Sequence, residues 1–140
     1  MDRQLLKDQL ERHEGLRLKP YRDNVGKLTI GYGRNLDDVG IAPEEAELML
    51  DNDIDAALKQ LQTVDEFNDL DSVRQVVIVN MAFNLGFYGL MSFSKMWKAI
   101  ARNDHAEASR QMLNSLWARQ VGSRADELAR IMRTGTAKAA

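Results

Sequence analysis

Cysteine is absent from this 140-residue chain, and histidine occurs only as His13 and His105. No disulfide framework, thiolate nucleophile or cysteine metal site is therefore available, and neither a histidine-built zinc site nor any cofactor is expected. No apolar run approaches the roughly 18 to 20 residues that span a bilayer. The first residues, MDRQLLKDQLERHEG, are too charged for a secretory signal. Any catalysis must therefore use carboxylates, hydroxyls, arginine or lysine.

Basic residues are scarce in the middle of the chain, and acidic residues are scarce in its C-terminal part. Between Asp37 and Asp71, twelve acidic residues accompany a single base, Lys59, whereas from Leu90 onward nine bases accompany four acids. This distribution indicates either two solvated faces of opposite sign or a basic C-terminal part that meets an anionic polymer. Nucleic acid is not expected as that polymer, because the bases are dispersed and the net charge is −2.

The N-terminal part combines one helix with short strands. Leucines at four-residue spacing predict a helix over residues 2–14, which Gly15 terminates. Residues 16–33 then read as two strands, LRLKPY and KLTIGYG, joined by the turn DNVG, where Gly26 supplies a positive φ. The length fits one domain. With the helices that follow, the sequence predicts a mainly helical α+β fold with a small N-terminal antiparallel β-hairpin.

Helical signals fill the rest of the chain. Pro43 and the glutamates after it predict a helix that runs to about residue 62. The segment DSVRQVVIVNMAFNLG predicts a buried central helix between a cap at Asp71 and an end at Gly86, despite its β-branched residues. Further helices are expected near 93–101, 105–119 and 124–133. Their end signals are an Asp104–Glu107 capping box, a cap at Ser123 and a terminator at Gly135.

Two carboxylates near the hairpin sit in contrasting predicted environments. Glu14 falls on the leucine side of the first helix and in its last turn, where apolar neighbours and the helix dipole both favour the protonated form. Asp23 lies in a turn, where water and backbone N–H groups favour the ionised form. Such a pair is the acid/base pattern that cleaves glycosidic bonds, and Thr29 on the return strand could orient a water. The alternative is that Glu14 is a solvated helix end and Asp23 a turn former.

Spacing and neighbouring motifs extend this pattern into a family resemblance. Eight residues separate Glu14 from Asp23 and five separate Asp23 from Thr29, within EGLRLK, YRD and LTIGYG. Together with LDSVRQVVIVNMAFNLG, SLWARQ and RTGT, these motifs make the chain resemble phage lysozymes of the T-even type, glycoside hydrolase family twenty-four. The resemblance covers almost the whole chain, with a shortened segment between Gly33 and Pro43.

The resemblance implies a fold, an activity and residue roles. It implies one lysozyme domain, residues 1–140, with a β-containing lobe of about 13–60, a helical lobe of about 61–140 plus the first helix, and an active site between them. The implied reaction is hydrolysis of the β-1,4 bond between N-acetylmuramic acid and N-acetylglucosamine in peptidoglycan, with net inversion. Glu14 would be the general acid, Asp23 would stabilise positive charge on the sugar and help position water, and Thr29 would hold that water.

Further positions match the family's substrate cleft. Asn35, Phe83, Met96 and Gln111 align with residues that contact sugar, although Phe83 and Met96 are also consistent with simple core packing. Trp97 and Trp117 are interpreted as packing residues.

Three charged positions bear on the acid or depart from the family pattern. Arg124 matches a family arginine that approaches the acid, which would favour its ionised form, so the net effect on Glu14 stays open. Arg34 stands where the family commonly has a histidine after GYG, and His13 replaces an acid usual before the catalytic glutamate. These two departures change the ion pairs expected around the site.

Other classes of function are weighed against the hydrolase. A lytic transglycosylase would act on the same substrate and differ in what accepts the glycosyl group. A catalytically silent wall-binding module and a helical interaction protein are the remaining alternatives. As a phage endolysin, the protein would be a monomer without stable membrane association. It would accumulate in the host cytoplasm, need a holin-type membrane protein to reach the wall, and then lyse the cell.

Overall fold

A computed structural model describes residues 1–138 and divides the chain into two compact units, one from Met1 to Leu50 and one from Asp51 onward. The first unit contains α1 (Arg3–Glu14), β1 (Arg17–Arg22), β2 (Leu28–Gly31), β3 (Arg34–Asn35) and the start of α2 (Pro43–Leu61). The second contains the end of α2, then α3 (Asp65–Asn68), α4 (Ser72–Met91), α5 (Ser94–Ala101), α6 (His105–Leu113), α7 (Leu116–Val121) and α8 (Ser123–Thr134). The mainly helical α+β class is confirmed, and the lobe boundaries inferred from the family stay a prediction.

Both ends of α1 are fixed by flanking residues. Oδ1 of Asp2 accepts a hydrogen bond from the N–H of Leu5 at 3.0 Å, and the N–H of Gly15 donates to the carbonyl of Glu11 at 3.0 Å. Gly15 has φ 72° and ψ 157°, a combination that only glycine adopts readily. The expected terminator is confirmed, although the chain leaves the helix in an extended direction. Glu14 is therefore the last residue of α1.

The three strands form an antiparallel sheet in the order β1-β2-β3. Thr29 in the central strand pairs with Tyr21 on one side and with Asn35 on the other. The predicted hairpin and its turn are confirmed. The prediction of one return strand through residue 33 was wrong, because Gly31 and Gly33 both have positive φ and turn the chain back into β3.

The hydrophobic core belongs to the second unit. Among the described residues, every buried apolar side chain lies at Leu61 or later, and α4 contributes four of them: Val77, Ile78, Met81 and Leu90. This burial confirms α4 as a central helix, so tertiary packing overrides the strand preference of its β-branched residues. The first unit lacks such a core over residues 1–50, where Thr29 is the one buried side chain.

Three predicted helix ends needed correction. Gly86, with φ 71° and ψ 168°, interrupts α4, but helical geometry resumes and continues to Met91. The helix expected over 105–119 is two helices, because Ser115 accepts a hydrogen bond from the N–H of Ala118 and starts α7. Ser123 is the first residue of α8 after Gly122 and makes no capping bond. The caps at Asp71 and Asp104 and the terminator at Gly135 are confirmed.

One arginine ties the start of α4 to the end of α8. Nε of Arg74 donates to the carbonyl of Met132 at 2.7 Å, and its Nη2 donates to the carbonyl of Arg133 at 3.2 Å. Its Nη1 lies 2.9 Å from Oδ1 of Asp71, the capping residue of α4. The guanidinium thus satisfies carbonyls that α8 leaves unpaired at its C-terminal end.

Across residues 1–138, no single helix is long and apolar enough to cross a membrane. Helices α4 and α5 pass that test only as a pair, by length and composition, and they are bent by 93°.

Candidate active site

The carboxylate of Glu14 lies against the backbone of the β2–β3 connection. A Cβ placed on Gly33 would stand 2.8 Å from Oε2 of Glu14 and 3.1 Å from its Cδ, so any other residue here would move the carboxylate from this position. Gly33 also has φ +80°, which disfavours any other residue. The fold of the first unit therefore brings the predicted acid next to the GYG motif.

The apolar surroundings expected for Glu14 are not present. Glu14 is exposed, and Leu6 and Leu10 on the same helix keep 38% and 44% of their surface accessible. The leucine spacing gave the correct helix, but spacing alone does not ensure that a stripe is covered. Its position at the end of the helix is what distinguishes Glu14 from the other acidic residues of α1.

Asp23 is built into the hairpin turn by its backbone and its side chain. Its Oδ1 accepts from the N–H groups of Val25 at 3.0 Å and Lys27 at 2.8 Å, while its own N–H donates to the Lys27 carbonyl at 2.9 Å. These are the backbone donors that the turn sequence predicts. In the described structure no hydrogen bond engages Oδ2, so one oxygen of the carboxylate is available for chemistry.

The hydroxyl group of Thr29 is held in one orientation. The residue is 3% exposed, and its Oγ1 donates to the carbonyl of Lys27 at 2.9 Å. With that proton engaged, the oxygen lone pairs remain as acceptors. The backbone of Lys27 thus holds both Asp23 and Thr29.

Asn35 is placed beside the site by sheet pairing but is occupied by its own turn. Its Nδ2 lies 3.0 Å from Oδ2 of Asp38, and its Oδ1 accepts from the N–H of Asp38 at 2.9 Å. These bonds make Asn35 a turn-forming residue. Its sugar-binding role stays a prediction.

The remaining predicted sugar-binding residues lie in the second unit. Met96 and Gln111 line one cavity of about 460 Å³, where Met96 is fully buried and Gln111 donates to Oε1 of Glu107 at 2.8 Å. Phe83 keeps 44% of its surface exposed and lines a separate cavity of about 290 Å³. The structure therefore places Phe83 apart from the other two, and none of the three roles is tested.

The tryptophans and Arg124 have partners within the second unit. Trp97 and Trp117 are buried, and their indole N–H groups donate to the Leu90 carbonyl at 3.1 Å and to Asn84 Oδ1 at 3.3 Å. Their interpretation as packing residues agrees with this burial. Nε and Nη2 of Arg124 donate to Oδ1 of Asn80 at 3.0 and 2.7 Å.

Comparison with known proteins identifies the family. A family model described as phage lysozyme matches residues 11–133. The chain belongs to the phage lysozyme family. It is therefore a lysozyme-type peptidoglycan hydrolase.

Relatives of this phage lysozyme family member include eukaryotic and viral proteins. "Probable T4-type lysozyme 1" of Dictyostelium discoideum is 28% identical over 96% of each chain. An endolysin of Acyrthosiphon pisum secondary endosymbiont phage 1 is 32% identical over 82% of this chain and 80% of its own. The pre-baseplate central spike protein Gp5 of Enterobacteria phage T4 is 27% identical over 91% of this chain but only 27% of its own length.

Two features of the site are not indicated by the sequence pattern. The backbone of Lys27 as the common support of Asp23 and Thr29 has no side-chain signal that a pattern could show. The second feature is the partner of Arg34, which is Glu45. The Nη1–Oε1 and Nη2–Oε2 distances of that pair are both 2.8 Å.

Metal chemistry was not expected from the sequence. Within residues 1–138, no group of three or more histidine, cysteine, aspartate or glutamate side chains could hold a metal ion.

Proposed function

We propose that this member of the phage lysozyme family hydrolyses the β-1,4 bond between N-acetylmuramic acid and N-acetylglucosamine, with Glu14, Asp23 and Thr29 as its catalytic residues. The observation that carries the proposal is the arrangement around Lys27. Its backbone N–H and carbonyl hold Asp23 Oδ1 and the Thr29 hydroxyl at 2.8 and 2.9 Å, so two groups that can act on one water share one rigid support.

The hydroxyl of Thr29 acts on that water as an acceptor. Because its own proton points to the Lys27 carbonyl, Oγ1 receives a hydrogen bond from the water and cannot donate one. The second proton of the water points to the unengaged Oδ2 of Asp23. The remaining lone pair of the water then faces the anomeric carbon, which is the orientation that attack requires.

Glu14 supplies the proton for the leaving group. Its carboxyl group donates a proton to the glycosidic oxygen as the bond to the anomeric carbon breaks, while Asp23 stabilises the positive charge on the sugar and takes the proton of the attacking water. The new C–O bond forms on the face opposite the leaving group. Configuration is therefore inverted, as in glycosidases that place a water between their two carboxyl groups.

Product analysis tests the reaction. Purified peptidoglycan is digested with wild-type enzyme and with Glu14→Gln, and the muropeptides are weighed by mass spectrometry. Hydrolysis gives reducing ends that carry one added water, whereas a lytic transglycosylase gives anhydro-sugar ends without it. Anhydro products from the wild type would contradict the water-holding role of Thr29, and no products at all would favour a wall-binding module.

The biological role that we propose is that of a phage endolysin acting as a monomer. The similarity to a phage endolysin supports this role. The enzyme would accumulate in the host cytoplasm and reach the wall after a holin-type protein opens the membrane. Expression in bacteria should lyse cells only when the membrane is permeabilised, and light scattering should give the 15.9 kDa of one chain.

A further inference from the structure

The guanidinium of Arg34 closes the segment between β3 and α2. Besides its two-pronged contact with Glu45, Nη1 donates to the carbonyl of Gly40 at 3.0 Å. Oε1 of Glu45 also accepts from the N–H of Ala42 at 2.8 Å. Four hydrogen bonds thus connect β3 to the start of α2 and close the segment between them.

This closed segment begins directly beside the predicted acid. Arg34 follows Gly33, where a Cβ would stand 2.8 Å from Oε2 of Glu14. Arg34 also starts β3, where it pairs with Ile30, and its neighbour Asn35 pairs with Thr29. The position of the Gly33 backbone therefore depends on where β3 and its arginine are held.

Apolar packing is limited here, because Leu28, Ile30 and Leu36 are only half-buried and residues 1–50 contain no fully buried apolar side chain. Directional polar contacts therefore contribute to the geometry. A guanidinium that meets a carboxylate with two parallel hydrogen bonds fixes orientation as well as distance, which neither lysine nor histidine can reproduce.

We propose that Arg34 and Glu45 are a positioning pair that holds the Gly33 backbone against Glu14 and so orients the general acid. The proposal rests on the proposed catalytic role of Glu14. Arg34 acts through Gly33 and does not itself touch the reacting atoms.

Each member of the pair favours the charged form of the other. The hydrogen bond and the charge of Glu45 raise the pKa of Arg34. The hydrogen bonds from Arg34 and from the N–H of Ala42 lower the pKa of Glu45. Both groups are solvent-accessible, with side-chain exposures of 36% and 43%, so concentrated salt should weaken the contact.

The kinetic test compares Arg34→Lys, Arg34→Gln and Glu45→Gln with Arg102→Gln. Arg102 is a matched control, because it makes an exposed 3.8 Å ion pair with Asp104 in the second unit. A misplaced catalytic group costs up to about 100-fold in rate. We expect kcat on soluble peptidoglycan fragments to fall ~10- to 100-fold for the two glutamine variants and less for lysine, with KM nearly unchanged. Wild-type kcat in both glutamine variants would overturn the proposal.

A spectroscopic test separates this proposal from the catalytic role of Glu14. The ¹³C chemical shift of the Glu14 carboxyl group is compared at one pH in wild type, Arg34→Gln and Arg102→Gln. We expect a changed chemical shift in Arg34→Gln alone. An unchanged Glu14 signal in Arg34→Gln overturns the positioning role even if Glu14→Gln is inactive. A changed signal supports the positioning role of Arg34 even if Glu14→Gln remains active. In that case only the proposed catalytic role of Glu14 is contradicted.

Unfolding of a variant would also lower kcat, and the Arg34→Lys variant tests for this effect. This variant keeps the charge and loses the two-pronged geometry. If it melts like wild type, as we expect, and still shows a lower kcat and a shifted Glu14 signal, the effect is one of orientation. If its kcat and its Glu14 signal match those of the wild type, the two parallel hydrogen bonds between Arg34 and Glu45 do not orient Glu14.

Discussion

The hydroxyl of Thr29 donates to the carbonyl of Lys27 across 2.9 Å from a site that is 3% exposed. That carbonyl also accepts from the N–H of Asp23 at 2.9 Å, so one backbone oxygen fixes the direction of a hydroxyl and the position of a carboxylate. The lone pairs of the Thr29 hydroxyl oxygen therefore have a fixed direction before substrate binds. Such preorganisation is what the positioning of a reacting water requires.

Replacing Thr29 tests this use of the hydroxyl. Thr29→Val keeps the shape and removes the acceptor, so turnover should fall by about 100-fold or more through misplacement of the water. The lost hydrogen bond should cost about 0.5–1.5 kcal/mol of unfolding free energy. Thr29→Ser retains the hydroxyl and is the matched control, expected within a few fold of wild type. Turbidity clearing and urea unfolding measure both quantities, and more than half of wild-type activity in the valine variant would return Thr29 to a packing role.

Replacing Glu14 tests the general acid. Glu14→Gln preserves shape and removes the proton, which should cost about two to four orders of magnitude in rate. Because the side chain is exposed, the unfolding free energy should change by less than about 0.5 kcal/mol. Glu11→Gln removes an exposed glutamate from the same helix and should remain fully active. Comparable activity of the two variants in a lytic assay would exclude Glu14 as the acid.

Two glycines of the GYG motif separate backbone strain from contact with the acid. Gly31 and Gly33 have φ of +70° and +80°, so an alanine at either position should cost about 1–2 kcal/mol. A Cβ at Gly31 meets nothing within 4 Å, whereas one at Gly33 meets the Glu14 carboxylate. We therefore expect similar melting temperatures for both alanine variants, but kcat at least about 10-fold lower in Gly33→Ala. Equal kcat values would show that the contact is irrelevant to catalysis.

Stability should decline in mild acid through His105. Burial and the charge of Arg74 lower its pKa from 6.5, and the charges of Asp71 and Asp104 oppose this only in part. The unfolded chain then binds the proton more tightly, so this contribution to stability is complete above about pH 6.5 and is lost as the pH falls toward the folded value. Unfolding free energies between pH 7.5 and 5 should fall less in His105→Gln than in wild type. Parallel pH profiles would remove His105 as the cause.

The pair of Asp71 and Arg74 adds a second acid-sensitive element. Burial alone would raise the pKa of Asp71, but the side-chain and backbone hydrogen bonds from Arg74 and its charge outweigh burial and lower it. Stability from this pair is present above the ordinary aspartate value of 3.8 and is lost as the pH falls through the folded value. The stability that this pair contributes is therefore lost at lower pH than the contribution of His105, so the two losses can be measured separately.

The sequence by itself determined the features that local chemistry controls. The caps at Asp71 and Asp104, the glycine ends at Gly15 and Gly135, and the hairpin turn after Asp23 each depend on hydrogen bonds or φ values within a few residues. The spacing of Glu14, Asp23 and Thr29, together with the motifs along the rest of the chain, gave the family resemblance that the family match confirms. These signals are readable because their partners are near in sequence.

Only the tertiary structure decided which distant groups meet. The contact of Glu14 with Gly33, the choice of Glu45 as partner of Arg34 and the capture of the Met132 carbonyl by Arg74 join residues far apart in the chain. The exposure of the leucine stripe of α1 has the same origin. A periodic pattern states which face of a helix could be covered, but the neighbours that cover it, or fail to, are set by the packing of the whole fold.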